Sequence, residues 1–467
     1  MRTSSIFILF VFSFFSSFSQ GNSFALLHVN VVNVNTGKID GNMNVKISGN
    51  KIVSISASQN DLKNCRLIEA KGKFLIPGLW DMHVHIRGME NMFFPLLIAN
   101  GITGIRDMHN PKRCYTMGKW RDSINHSNSI APRIGAVAGC IVDGPGDGRN
   151  YGFLEASTEQ QGRLIVDSLK NSGADFIKVY NLLEPNVYAA IADEAKKQNI
   201  PFVGHIPLRM DAVECAAVGQ KSFEHLENFH QYCSSIKDHF IQFYRDSFFI
   251  AKDADFDRNA ELKVKTFDSA VATAFCNKLA EFGTFVDPTL VIDMPRKTEK
   301  ELADKDVLSA KNVPTEIDAW FAQKKDIASD DDIDVALFND KLKIMRYLNR
   351  AKVKLLIGTD MSTIHRVVPG YSIHDELELF VACGLTPLQA LQTSTINPAI
   401  FLNRENELGT VEKGKLADLV LLDANPIADI KNINKIFAVI NNGKYLDRVV
   451  LNNLKMLAVK NAKENKK

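Results

Sequence analysis

The sequence predicts an α/β protein: a (β/α)8 TIM barrel with a small β-sandwich domain formed by the two ends of the chain. Three observations predict it. Short β-prone runs alternate with stretches of helical periodicity through the middle of the chain, the pattern of a parallel sheet with crossover helices. A different texture, β-runs separated only by turn residues, fills the beginning and returns near the end. Side chains able to bind a metal recur at the ends of the middle runs, where such a barrel builds its active site.

With 467 residues, 45% hydrophobic and 24% charged, the chain can bury a large core and reads as one large domain plus a smaller one. Lys and Arg total 56 against 54 Asp and Glu, a formal charge of +2, so no electrostatic footprint for nucleic acid is visible. The expected partner is a small-molecule substrate, and a homo-oligomer is left open. Arg2, a nearly unbroken apolar run from Ile6 to Phe15, and Ser16-Ser-Phe-Ser-Gln20 have the form of a cleavable secretory signal peptide, residues 1–20. The run is shorter than the ~20 apolar residues that span a bilayer, so a periplasmic or secreted protein without stable membrane insertion is expected. Seven cysteines (65, 114, 140, 215, 233, 276 and 383) contain no Cys-x-x-Cys pair and read as small buried residues; an oxidising compartment would permit an occasional bridge.

Residues 21–73 carry β-runs at Leu26 to Val34, Met43 to Ser48 and Lys51 to Ala57, with Ser48-Gly-Asn-Lys51 as a tight hairpin. Their counterpart is 404–450, with Gly409-Thr-Val, Ala417 to Asp423 and Ile436 to Gly443. Between them, residues 74–403 offer eight barrel strands: Phe74 to His85, Gly101 to Asp107, Arg133 to Val142, Asp175 to Tyr180, Pro201 to His205, Ser222 to Leu226, Thr284 to Val291 and Lys354 to Asp360. Helices are expected at Asn186 to Gln198, Asp211 to Val218 and His374 to Ala382. The long connections Asn228 to Phe282 and Asp293 to Val353 would lie over the barrel mouth, and residues 451–467 read as a solvated basic tail.

In an extended strand alternate side chains share a face, so Asp81, His83 and His85 point one way, and two imidazoles on one rigid face can grip a metal ion. Asp175-Phe-Ile-Lys178, Pro201-Phe-Val-Gly-His205, Ser222-Phe-Glu-His225 and Leu355-Leu-Ile-Gly-Thr-Asp360 each end on one further candidate. Four histidines and an aspartate suit divalent Zn, Mn or Fe. An ammonium at Lys178 would repel such ions.

Pro77-Gly-Leu-Trp-Asp-Met-His-Val-His85, the strand ending on Lys178, the strand ends His205 and His225, Gly358-Thr-Asp360 and Asn425-Pro together resemble the amidohydrolase superfamily. Pro369-Gly-Tyr-Ser-Ile-His-Asp-Glu-Leu-Glu-Leu-Phe380, Gly384-Leu-Thr-Pro-Leu-Gln-Ala-Leu391 and Leu408 to Leu422 resemble its imidazolonepropionase-like and prolidase-like branch, although Val203-Gly-His-Ile-Pro207 departs from the His-Ala sequence of many dipeptidase relatives. The resemblance implies two divalent metal ions, Zn with Mn or Fe as alternatives, and carbon dioxide bound to Lys178 as a bridging carbamate. It implies His83, His85 and Asp360 on one metal, His205 and His225 on the other, and Asp360 as the catalytic proton carrier.

The implied activity is hydrolysis of an amide in a dipeptide or N-acyl amino acid by a metal-bridging hydroxide. A cyclic amidase, lactonase or phosphoesterase could use the same site, and a non-catalytic binding protein is the reading from another class. Tyr180, His230, His365 and Arg366 are candidates for holding substrate, with Asn181 beside them. Asp81 could orient a ligand, Arg106-Asp107 reads as a structural ion pair, and Gly144-Pro-Gly-Asp-Gly148 is loop punctuation.

Overall fold

The computed structural model describes residues 23–226, 228–247, 250–309, 311–323, 330–361 and 367–464. The predicted signal peptide and the candidates His365 and Arg366 lie outside the described residues.

The N-terminal part supplies β1 (Ser23–Val32), β2 (Ile39–Ser48), β3 (Lys51–Ser56), β4 (Arg66–Glu69) and β5 (Phe74–Pro77). The middle supplies β6 (Leu79–Val84), β7 (Ile102–Asp107), β8 (Arg133–Val137), β9 (Ile141–Asp143), β10 (Leu154–Glu155), β11 (Ile177–Val179), β12 (Phe202–Gly204), β13 (Ser222–Glu224) and β14 (Phe285–Asp287). β15 (Leu419–Leu422), β16 (Ile436–Asn441) and β17 (Lys444–Leu446) come from the C-terminal part.

Both ends of the chain build one eight-stranded sheet in the order β17-β16-β15-β5-β1-β2-β3, with β4 beside β1. Strand alternation gives its strands two buried faces. Leu75, Leu419 and Leu421 enter a core with Leu26, Val45 and Ile47, whereas Ile76, Val420 and Leu422 join the main core of the middle region. The predicted strand Phe74 to His85 is therefore two strands. It divides at Gly78, where a Cβ would run into the side chain of Thr103, so that β5 pairs with β15 while β6 pairs with β7.

The middle strands form two parallel sheets, β6-β7-β8 and β10-β9-β11-β12-β13-β14. Residues 354–360, predicted as a strand, are not one; instead the segment is stitched to both sheets. Leu356 N donates to Val286 O at 2.8 Å on one side, and Met82 N and His85 N donate to Ile357 O and Met361 O at 2.8 and 2.9 Å on the other. Arg133 to Val142 is likewise broken into β8 and β9, and Thr284 to Val291 into β14 and the short helix Leu290–Asp293. The predicted helices are found at Pro185–Lys197, Ala212–Val218 and Ser372–Ala382. The second begins where Asp211 accepts from Val213 N and ends at left-handed Gly219.

Residues read as a solvated tail are instead largely a helix, Arg448–Glu464, which buries Leu451, Leu454, Ala458, Val459 and Ala462. Those residues recur every three or four positions among lysines and asparagines, an apolar stripe that composition hides. The stripe packs on the helix Glu90–Ala99 through Ile98 and Ala99. Cys114 and Cys140 are joined in a disulfide, with Cα atoms 5.0 Å apart, so not every cysteine is a free packing residue. Cys215, Cys233, Cys276 and Cys383 are buried thiols. Among the described residues no helix is long and apolar enough to cross a membrane.

Candidate metal centre

His83 lies in β6 and Lys178 at the centre of β11, both essentially without solvent exposure. His85, His205 and His225 follow β6, β12 and β13, and because these strands run parallel their ends deliver side chains to one region. Asp360 arrives from the stitched segment that follows Leu356. His225 and Asp360 have φ of 69° and 52°, and Thr289 has φ of 45°. Left-handed backbone at three non-glycine residues is costly and is typical of a site whose geometry the surrounding fold imposes.

The six candidate side chains come together. Lys178 Nζ lies 3.1 Å from His83 Nε2, and Asp360 Oδ1 lies 3.4 Å from His83 Nε2 and 2.9 Å from His85 Nε2. The His83 and His225 rings are 4.5 Å apart between centroids, and those of His205 and His225 are 4.8 Å apart. Ligand-type atoms of His83, His225 and Asp360 all lie within 4.8 Å of one another.

Each imidazole is tethered at Nδ1. The partners are Glu224 Oε2 for His83 (3.0 Å), the His109 carbonyl for His85 (3.3 Å), Asn181 Oδ1 for His205 (2.9 Å) and Thr289 Oγ1 for His225 (2.7 Å). In all four the remaining ring nitrogen is Nε2. An imidazole held at Nδ1 by an acceptor, with Nε2 presented to a shared pocket, is the arrangement by which proteins orient metal ligands.

Electrostatics fit the same use. Burial drives His83 well below the ordinary imidazole range and His85 down to about 4, so both rings are neutral at pH 7, the form that can coordinate a cation. Burial alone would raise Asp360, but the neighbouring His225, the hydrogen bond with His85 and the charge of Lys178 outweigh it and hold the carboxyl below its usual range. Burial lowers Lys178 to about 8, which brings the neutral amine within reach near physiological pH. Neutral imidazoles, a carboxylate and a lysine able to lose its proton are a donor set that fits divalent cations.

A family model for the amidohydrolase family matches residues 74–451. The chain belongs to the amidohydrolase family. Two solved structures share the fold of this amidohydrolase. A putative prolidase from Bifidobacterium longum superimposes with a TM-score of 0.64 at 21% identity, covering 93% of this chain and 98% of the other. A bottromycin amidohydrolase gives 0.67 at 22% identity, covering 94% and 91%. Among curated relatives, the dihydroorotase of Carboxydothermus hydrogenoformans is 37% identical over 124 residues, 24% of this chain. The match spans only 27% of that dihydroorotase.

Other predicted residues of the amidohydrolase take different places. Tyr180 packs against His205 with the rings tilted by 37° and centroids 4.0 Å apart, and Phe153 meets Tyr180 edge-on at 5.1 Å, so Tyr180 borders the centre. His230 is a correction: it is buried in the helix Phe229–Tyr232 and its Nε2 is held 2.8 Å from the Leu337 carbonyl, a packing role. Asp81 accepts from Thr359 Oγ1 (2.6 Å), Thr359 N (3.1 Å) and His83 N (3.2 Å), clipping β6 to the segment that carries Asp360. Arg106 and Asp107 are not an ion pair. Neighbours on β7 point to opposite faces, and Asp107 accepts from Ile86 N and His109 N while Arg106 reaches Glu224 and Asp287. Glu224, Asp287 and His83 also cluster closely enough to hold a cation, but the Arg106 guanidinium already takes both carboxylates.

Sequence reading missed the tethers His109, Glu224 and Thr289, and it missed Arg87. Glu224 stood directly before His225; the other two belong to loops with no local signal. Arg87, two residues beyond His85, lies close enough for its charge to act on His85 and Lys178, and its Nε is buried with no hydrogen-bond partner among the described residues.

Proposed function

We propose that this amidohydrolase is a binuclear metal-dependent enzyme that cleaves the amide bond of a small peptide-like or N-acyl amino acid substrate. Family membership supports a hydrolase of carbon–nitrogen bonds. The observation that carries the finer reading is the tethering of four converging imidazoles through Nδ1. His83, His85 and Asp360 would hold one ion and His205 and His225 the other, with Lys178, as a carbamate formed with carbon dioxide, between them. Zn is the first choice, Mn or Fe the alternatives. Bound metal would supply Lewis-acid polarisation of the carbonyl and a water acidic enough to ionise near neutral pH.

The chain's own groups do the rest. Asp360, kept ionised, accepts the proton of the attacking water at Oδ1 and returns it to the departing nitrogen. Tyr180 packs the His205 ring in place and narrows the approach to it. Arg87, a cation beside the centre with an unanswered N–H, suits a substrate that carries a free carboxylate.

The middle strands are proposed to close into the (β/α)8 barrel, a reading supported by the bonds from residues 354–361 to both β14 and β6. The β-sandwich is proposed to arise from folding of the eight-stranded terminal sheet. Export through residues 1–20 to a periplasmic or extracellular location fits the Cys114–Cys140 bridge, which an oxidising compartment sustains.

The test is a screen of dipeptides and N-acyl amino acids with Zn- and Mn-loaded mature protein and with chelator-treated protein. Turnover that appears only with metal supports the reading. Turnover undiminished after complete metal removal would overturn it.

A further inference from the structure

We propose that Arg106 and Glu224 act as a positioning pair that fixes the ring of His83 from beneath the metal centre; the inference rests on the two-metal reading above. A guanidinium with no solvent exposure is expensive to bury unless its donors are answered. Four of the five N–H groups of Arg106 are. Nη2 donates to Glu224 Oε2 at 2.9 Å and to Asp287 Oδ2 at 3.3 Å, Nη1 to Ser222 Oγ at 3.2 Å, and Nε to the Met82 carbonyl. Phe401 and Phe176 flank the plane, with ring centroids 4.8 and 5.7 Å from Cζ. The cation is therefore locked in place and in orientation.

Glu224 is locked in turn. Its Oε1 accepts from Ser222 Oγ at 2.5 Å, and its Oε2 is shared between Arg106 and His83 Nδ1. Arg106 thus grips His83 twice: through the Met82 carbonyl, one residue earlier on β6, and through the carboxylate that takes the imidazole proton. The consequence is a fixed tautomer, with Nδ1–H toward Glu224 and the Nε2 lone pair toward Lys178 and Asp360. A carboxylate partner also makes an imidazole a stronger donor than the carboxamide, hydroxyl or carbonyl partners of His205, His225 and His85 do. Arg106 and Glu224 are positioning residues, since neither reaches the place of the reacting atoms.

The test measures Zn(II) affinity by chelator competition for wild type, Glu224→Gln, Arg106→Lys and the double variant, with the melting temperature of each metal-free protein beside it. Glu224→Gln is expected to weaken Zn(II) binding ten- to a hundredfold; because it also removes a carboxylate from the buried Arg106, its metal-free melting temperature should fall, and affinity is therefore read at a temperature where the variant is still folded. Arg106→Lys is expected to weaken it too, and to add less than its own single effect once Glu224 is Gln, because one of its two routes to His83 runs through Glu224. Wild-type affinity in Glu224→Gln, or additive losses in the double variant, would overturn the pair. If Arg106→Lys does not fold, the affinity of Glu224→Gln decides alone. Wild-type protein that binds none of Zn(II), Mn(II) and Fe(II) would instead strike the two-metal reading itself.

Discussion

Lys178 Nζ and His83 Nε2 are 3.1 Å apart in a pocket that shields both from solvent. Two nitrogens so close can share one proton, but an ammonium there would oppose any cation held by the neighbouring imidazoles. Burial already lowers Lys178 to about 8. If the lysine carries a carbamate, Lys178→Ala should lose most bound metal and activity, and a short carboxylic acid at high concentration should restore part of both. Lys178→Arg should fail as well, because guanidinium stays protonated. An Arg variant with wild-type turnover would make Lys178 an ordinary strand residue.

Arg87 leads to a prediction about substrate. Losing a charge-assisted hydrogen bond costs about 1.5–3 kcal/mol, so Arg87→Met should raise KM for carboxylate-bearing substrates by roughly ten- to a hundredfold, at 1.4 kcal/mol per decade. The same variant should leave KM nearly unchanged for the corresponding C-terminal amide. Equal effects on acid and amide would remove Arg87 from substrate binding.

What was legible in the sequence was the placement of chemistry on strand ends. Lys178, His205, His225 and Asp360 each close a short apolar run of the sequence, His83 and His85 alternate along another, and runs laid parallel bring them together. What was not legible depends on contacts distant in sequence. Gly78 divides β5 from β6 because Thr103 crowds it from another strand, which no local pattern announces. Arg106 looked paired with the adjacent Asp107, yet strand alternation sends the two apart, and its side-chain partners lie more than 100 residues away. His230 seemed a loop residue because the short helix that buries it has no cap or periodicity to reveal it.

The C-terminal helix was hidden by its lysines, and its contribution is measurable. Leu451→Ala or Leu454→Ala, each removing a buried side chain, should lower stability by about 2–4 kcal/mol. Met456→Ala, at a position 64% exposed, should change it by less than about 0.5 kcal/mol. Urea unfolding of the three variants checks the contrast; three equal values would mean the helix contributes nothing to the core.

The Cys114–Cys140 bridge encloses a sequence separation of 26 residues, for which chain-entropy arguments give about 3.5 kcal/mol of stabilisation. Protein produced under oxidising conditions and denatured without reductant should titrate five thiols, matching the five free cysteines, and seven after reduction. Seven thiols before reduction would show that the bridge does not form.

The central claim is a two-metal centre organised by Lys178, and counting metal tests it most directly. Elemental analysis of purified, dialysed and active protein should find close to two divalent ions per chain, falling below one in Lys178→Ala while the variant remains folded by circular dichroism. Fully active wild-type protein with clearly less than one ion per chain, or a Lys178→Ala variant that keeps two, would contradict it.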